Sequence, residues 1–319
     1  MIPAPVSALA LRTFGATDIG LERDHNEDAI LLRDDIGLYV ICDDAGGHDA
    51  GEVAASAGIR SIAKFMLESA ARRGQMPDFD EFGFAVDARR LGAALHKANR
   101  DVRAIAAAAK SRRGMGSTVV ALQFTARSSM VHVAHAWDSR CYRWRAGHLE
   151  QLTTDHSMLN DLLEQRPDID DALLARIPRN AVTRALGAED DLRVPLLSLE
   201  VVDGDRFLLC SDGLSGPVPA ADIAKVLDRQ ESPESTVKAL IDVTKAAGAP
   251  DNVATIVIDC HGPRQAALPI DDRSSPDIER DLRSSEPELL LIGIDELEIE
   301  STGNDEADLQ RVLAALLKR

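Results

Sequence analysis

The chain reads as an α+β protein in which helices cover antiparallel sheets. Short runs of strand formers joined by tight turns occupy both halves of the sequence. Between them two long helical patterns follow one another directly, where a parallel sheet would need strand and helix to alternate. Several of the strand-like runs also end in a carboxylate, which gives this layout a chemical purpose.

Residues 9–18 form a first strand, broken at Gly20. Arg23-Asp24-His25-Asn26-Glu27-Asp28 then leads into a second run at 29–32, and Asp34-Asp35-Ile36-Gly37 turns into a third at 38–42. That apolar run is a buried strand, and it ends in Asp43-Asp44 followed by Gly46-Gly47. If the last two runs form a hairpin, Glu27 and Asp28 lie beside Asp43 and Asp44 and can share one ion. Helical spacing predicts a helix over 51–68 and a second over 87–110, with Leu91, Leu95, Ala98, Val102 and Ile105 on one face.

Strands resume at 116–122, 130–137, 141–144 and 149–152, with Asp138-Ser139-Arg140 between two of them. His132 and His135 fall within a strand and read as structural. The polar stretch 156–182 is thinly apolar and reads as an insert at the edge of the site. Strands follow at 194–202 and 206–210, the latter ending in Ser211-Asp212-Gly213-Leu214, a repeat of the apolar strand, Asp and Gly seen earlier. Helices at 220–228 and 233–247 precede Asp251-Asn252 and a strand at 253–258. Residues 1–261 thus read as one domain. Residues 262–288, rich in Pro, Ser, Asp and Arg without periodicity, read as a flexible acidic linker. Residues 289–319 read as a strand and an amphipathic helix, too small for a core of their own, docking on the main domain or on a partner.

Acidic residues outnumber basic ones 53 to 36, for a net charge of -17, which argues against nucleic-acid binding and against attachment to an anionic membrane. No apolar run is long enough to span a bilayer, and no basic residue precedes the short apolar patch near the N-terminus, so a secretory signal is not expected. Cys42, Cys141, Cys210 and Cys260 lie in or beside apolar runs without C-x-x-C spacing; buried reduced thiols in a cytoplasmic protein are the expectation.

Glu27, Asp43, Asp212 and Asp251 all sit where a strand meets a loop, and all offer hard oxygen ligands. Such a set suits magnesium or manganese and not zinc. On these residues the chain resembles the bacterial form of the type 2C (PPM) metal-dependent Ser/Thr protein phosphatases. The matching pieces are Thr17-Asp18-Ile19-Gly20 with Arg23 and Asn26-Glu27-Asp28, then Asp43 through His48, Gly116-Ser117-Thr118 and Asp138-Ser139-Arg140. They continue in family order with Thr153-Thr154-Asp155-His156, Thr183-Arg184-Ala185-Leu186-Gly187, Ser211-Asp212-Gly213 and Asp251-Asn252.

The resemblance implies a four-layer αββα sandwich and a two-metal centre of Mn2+ or Mg2+. Asp43 would bridge the ions, Asp212 and Asp251 would complete one shell, Glu27 would hold the other ion, and Asp138 would serve a third. Asp28 would orient metal-bound waters and Arg23 would grip the substrate phosphate. The implied reaction is in-line attack of a metal-bridging hydroxide on phosphoserine or phosphothreonine of protein substrates, in the pathway of a cytoplasmic Ser/Thr kinase. The stretch 156–182 matches the family's flap. Two residues depart from the pattern. Asp44 stands where the family has a glycine whose carbonyl binds metal, and its carboxylate adds a candidate ligand, while any left-handed backbone there would carry a cost. Trp137 stands where the family usually has glycine, beside Asp138. A degenerate fold acting as a regulatory binding module is the alternative function, and a hydrolase of small phosphate esters a third.

Overall fold

The computed structural model describes residues 9–44, 51–109, 112, 114–125, 128–156, 185–190 and 192–262. The linker, the C-terminal segment and nearly all of the 156–182 insert therefore lie outside the described residues.

The first sheet contains β1 (Ala10–Asp18), β6 (Arg140–Arg145), β7 (His148–Gln151), β9 (Arg206–Cys210) and β10 (Val253–His261), in the order β1-β10-β9-β6-β7. The second contains β2 (Ala29–Arg33), β3 (Leu38–Cys42), β4 (Val119–Phe124), β5 (Met130–Ala136) and β8 (Leu196–Glu200), in that order. Every pairing is antiparallel. Helices α1 (Gly51–Arg73) and α2 (Val86–Ala108) cover the second sheet; α3 (Asp212–Ser215), α4 (Ala220–Asp228) and α5 (Pro233–Ala246) belong to the other side.

Side-chain alternation along β3 explains why its five residues are all buried. Tyr39 and Ile41 face the space between the sheets, where they meet Val120, Leu122, Phe207, Leu209, Ile256 and Ile258. Leu38, Val40 and Cys42 face the other way, against Ile62, Met66, Leu91 and Leu95 of α1 and α2. The outer face of the first sheet is closed similarly: Tyr142, Trp144, Leu208 and Val257 pack on Ile223, Leu227, Val237 and Leu240. Helix, sheet, sheet and helix thus form the expected four layers, and with few aromatics available the sandwich is filled chiefly by aliphatic side chains. All four cysteines are free and buried among them.

The elements depart from expectation mainly at their ends. Helix α1 continues five residues beyond position 68, because Ser-Ala-Ala-Arg-Arg keeps good helix formers and a favourable positive end until Gly74. Strand β4 starts later than position 116 because Ser117 makes isolated bridges to Asp44 and Leu186 in place of the ladder. The short α3 was not foreseen; a four-residue helix has too little periodicity to register in a sequence.

A buried ion network joins the ends of α1 and α2. Asp87 accepts from Arg73 Nε at 2.7 Å and from Arg90 Nη1 at 2.8 Å, and Arg90 also reaches Ser69 and the Met66 carbonyl. Burial would raise the Asp87 carboxyl, but hydrogen bonds and charge from the two arginines outweigh it and hold the group below its ordinary value. Its contribution to stability is present above the unfolded pKa, near 4, and is lost as pH falls through the lower folded value. Asp87→Asn leaves two cations facing a neutral group, so chemical denaturation at pH 7 should show a loss of about 3 kcal/mol that shrinks on acidification below about pH 4.

Candidate metal centre

Strand register brings the carboxylates together. Ala29 pairs with Cys42, so Asp28 and Asp43 stand side by side just beyond the hairpin's open end. Cys210 pairs with both Arg140 and Thr255, which sets Asp212, Asp138 and Asp251 beyond the same end of the other sheet. Asp18 pairs with Val253, which carries the loop bearing Arg23 and Glu27 to that end as well.

Asp43 lies at the middle of the cluster. Its carboxyl is hydrogen-bonded to those of both Asp28 and Asp212. Its backbone is fixed from below: the Asp43 N–H donates to Thr118 Oγ1 at 3.0 Å, and its carbonyl accepts from Thr118 N–H at 2.9 Å and Ser117 Oγ at 2.8 Å. Thr118 Oγ1 lies 2.7 Å from Ser139 Oγ, so the turn bearing Asp138 is tied to the strand bearing Asp43. Ser211 Oγ donates to Asp28 Oδ2 at 2.9 Å, whereas Asp28 Oδ1 is buried without a partner.

Asn252, only 3% exposed, organises the loop. Its Oδ1 accepts from the Glu27 N–H at 2.8 Å, and its Nδ2 donates to the carbonyls of Ile19 and His25. Asn26 repeats the device on a smaller scale, accepting from the Asp28 N–H and donating to Thr17 Oγ1. Glycine is required at 213, where a Cβ would collide with the Asn252 carbonyl oxygen, and at 20, where φ is +79° and a Cβ would strike the Asp251 carbonyl. Asn252, Ser117, Thr118, Ser139 and Ser211 had no role assigned from the sequence. The signal for them was their place beside the carboxylates, within the same runs that carry the family resemblance.

Seven carboxylates at one strand end create an electrostatic problem. Asp28 is pushed up to about 7, by burial first and then by the negative charges of Asp212 and Asp251. Asp138 is pushed up to about 7 by burial, Asp212 and Asp155. Asp43 is raised well above its ordinary value by burial and by Asp28 and Asp212, Asp212 is raised by burial and Asp251, and Glu27 by burial and Asp44. Arg23 meets the cluster at its mouth, with Nη2 2.6 Å from Asp251 Oδ2 and the side chain 42% exposed.

Among the described residues no three His, Cys, Asp or Glu side chains form a ready-made ligand shell; the carboxyls close on one another instead. The donor set nevertheless fits a hard divalent cation. It is made of oxygen, one buried oxygen lacks a partner, and the mutual repulsion that raises these carboxyls is what a cation would relieve.

The two departures resolve differently. Among the described residues Asp44 is not one of those with positive φ, so the anticipated left-handed strain does not arise there. It bridges Ser117, and its carboxylate packs on the Cα of Gly51 at the positive end of α1, hydrogen-bonded to Glu27. Trp137 does have the glycine-like backbone, with φ +82°, at a cost of about 1–2 kcal/mol. His156 holds it from both sides, accepting from the Trp137 N–H at 3.1 Å and donating its own N–H to the Trp137 carbonyl at 3.0 Å. His156 also stacks on His135, whose Nε2 is 2.9 Å from the Thr154 carbonyl, while His132 sits between Thr125 and Ser198, so both strand histidines serve the packing as expected.

No protein-family model matches the chain. The serine/threonine protein phosphatase PstP of Mycobacterium tuberculosis is 34% identical over 252 residues, 79% of this chain and 45% of the relative, so the chain spans about half the length of that protein. A solved structure of PppA, described as a key regulatory component of T6SS in Pseudomonas aeruginosa, superposes with a TM-score of 0.65 at 32% identity over 79% of this chain and 99% of the other. The catalytic domain of PstP in complex with two manganese ions gives 0.63 at 31% identity, with coverage of 79% and 99%.

Two outcomes follow from the carboxyl cluster. The fold keeps Asp28 protonated up to about pH 7, whereas the unfolded chain ionises it near 4, so wild-type stability from this group falls as pH rises through that window. Without metal, Asp28→Asn should melt roughly 5 °C above wild type at pH 8 and level with it at pH 4.5, and manganese should raise the melting temperature of wild type more than that of the variant. Asp44→Gly should weaken calorimetrically measured manganese binding about tenfold, or about 1.4 kcal/mol; an unchanged titration removes Asp44 from the ligand set.

Proposed function

We propose that this chain, which belongs to the bacterial PPM, or type 2C, family of Ser/Thr protein phosphatases, is an active metal-dependent enzyme that hydrolyses phosphoserine and phosphothreonine in proteins. The observation that carries the proposal is the convergence of Asp28, Asp43 and Asp212 at one strand end, with Glu27, Asp138 and Asp251 around them and Arg23 at the mouth.

Asp43, at the centre of the carboxyl cluster, would hold the metal together with Asp212, Asp251, Glu27 and Asp44, and Asp28 and Asp212 press on it from either side. Asp138 holds a third position. Manganese or magnesium bound there supplies charge neutralisation and a water acidified enough to attack phosphorus directly. The chain's own residues do the rest. Ser211 fixes Oδ2 of Asp28 and leaves the buried Oδ1 as an acceptor that would orient a water in the site. Arg23 exchanges Asp251 for the substrate phosphate, to which a guanidinium presents two parallel donors. Thr118 and Ser139 keep the Asp43 and Asp138 backbones in register.

The substrates are phosphoproteins of a Ser/Thr kinase pathway, and a cytoplasmic location is consistent with four free thiols. Among the described residues no helix is long and apolar enough to cross a membrane. A catalytically silent binding module draws support only from Asp44 and Trp137, and neither substitution removes a carboxylate from the cluster.

Manganese-dependent release of phosphate from phosphothreonine peptides tests the reading. Activity should vanish with EDTA and fall at least about a thousandfold in Asp212→Ala, some 4 kcal/mol of transition-state stabilisation. Metal binding without turnover would establish the silent module, and turnover of small esters alone would establish a hydrolase of a different substrate class.

A further inference from the structure

The loop between α1 and α2 presents large apolar side chains to solvent far from the metal centre. Phe79 is 52% exposed and Phe82 is 70% exposed, in a chain with only seven phenylalanines, and Leu67 of α1 is 37% exposed. These rings are held out by an ordered frame. Asp80 Oδ1 accepts from the N–H groups of Phe82 and Phe84 at 2.9 Å, and Arg89 donates to its other oxygen. Arg73 donates to Asp78 and to the carbonyls of Met76 and Pro77, and Phe79 bridges Ala85. Preformed apolar surface of this kind is a docking site that needs little ordering before use.

The chain itself supplies a complementary segment. Residues 289–319 begin with Leu289-Leu290-Leu291-Ile292 and continue with Leu297 and Ile299 alternating with Glu296, Glu298 and Glu300. The α1 surface offers the matching pattern. Leu67 and Ala71 share a helical face with Lys64 and Arg60, which lie one and two turns nearer the helix start, Lys64 being 3.9 Å from Glu68.

Geometry permits the contact. Helix α1 starts against Asp44 at the metal centre and runs about 34 Å away from it, while β10 leaves Asp251 and runs about 30 Å. Both finish at the opposite end of the molecule: Arg73, Gly74 and Asp87 line one cavity of about 230 Å³ with Asp35, Ile36 and Phe124, and Phe124 stacks edge-on against Phe207, the partner of Ile258. Twenty-six residues, 263–288, separate Gly262 from residue 289, and a chain of that length spans about 28 Å at random-coil dimensions.

We propose that the α1–α2 loop, through Phe79, Phe82 and Leu67, is the docking surface for residues 289–319 of the same chain. Hydrogen–deuterium exchange on the full chain tests this, with sedimentation to give the mass. Amides within 289–319 should exchange at least tenfold more slowly in wild type than in Phe79→Ser/Phe82→Ser, at monomer mass and independently of concentration. Leu290→Ser/Ile292→Ser should reciprocally speed exchange in residues 78–84, with the β-sheet amides unchanged in both variants. Equal exchange of 289–319 in wild type and the phenylalanine variant overturns the proposal. Protection that rises with concentration alongside a doubled mass assigns the surface to a second copy, and full-speed exchange of 289–319 in wild type assigns it to another protein; either result also overturns it.

Discussion

Mutual repulsion among carboxylates is the constraint on which the rest of this structure depends. Asp28, Asp43 and Asp212 repel one another when ionised without a counter-charge, and burial together with that repulsion raises all three carboxyls above their ordinary values. Holding such a cluster in place requires rigid supports. They are the ends of two stacked antiparallel sheets, whose cores on three levels are buried and mostly aliphatic. The hydroxyls of Ser117, Thr118, Ser139 and Ser211 connect those ends, so the charged groups are borne by backbone that has little freedom to relax. Stability sacrificed at the strand ends is supplied elsewhere, as in the Arg73–Asp87–Arg90 network.

Much of this arrangement was legible in the sequence, for identifiable reasons. The 38–42 run announced a strand buried on both faces because no polar residue interrupts it, and the carboxylates announced a site because each stands where an apolar run meets a loop. Antiparallel layering followed from two adjacent helical patterns. The supports were not legible. Asn252 acts by accepting from Glu27 across 225 positions of chain, and although Asp251-Asn252 stood out as a motif, nothing local reveals which distant backbone its amide would hold. The four-residue α3 and the end of α1 were hidden for a more local reason, since single turns and helix ends leave almost no periodic trace.

The two departures from the family pattern show how backbone and side chain can be decoupled. Asp44 replaces a glycine without backbone strain and places its charge at a helix N-terminus, where the dipole offsets part of the added repulsion. Trp137 accepts the strained conformation and is secured by a reciprocal pair of bonds with His156. In one case the surroundings accommodate the charge; in the other they accommodate the conformation. Neither substitution disturbs the register that aligns Asp43 with Asp138.

The burial of Cys42, Cys141, Cys210 and Cys260 has a practical side. Each thiol lies in a strand, and burial pushes all four up, Cys210 to about 12, so almost none is present as the reactive thiolate at neutral pH. Two of them, Cys42 and Cys210, end the very strands from which Asp43 and Asp212 emerge. Both sulfurs lie beneath the helices that cover the two sheets, so an alkylating reagent reaches them only when a helical layer lifts, and each modified sulfur records such an opening. The protein carries its own clock for rare excursions from the native state.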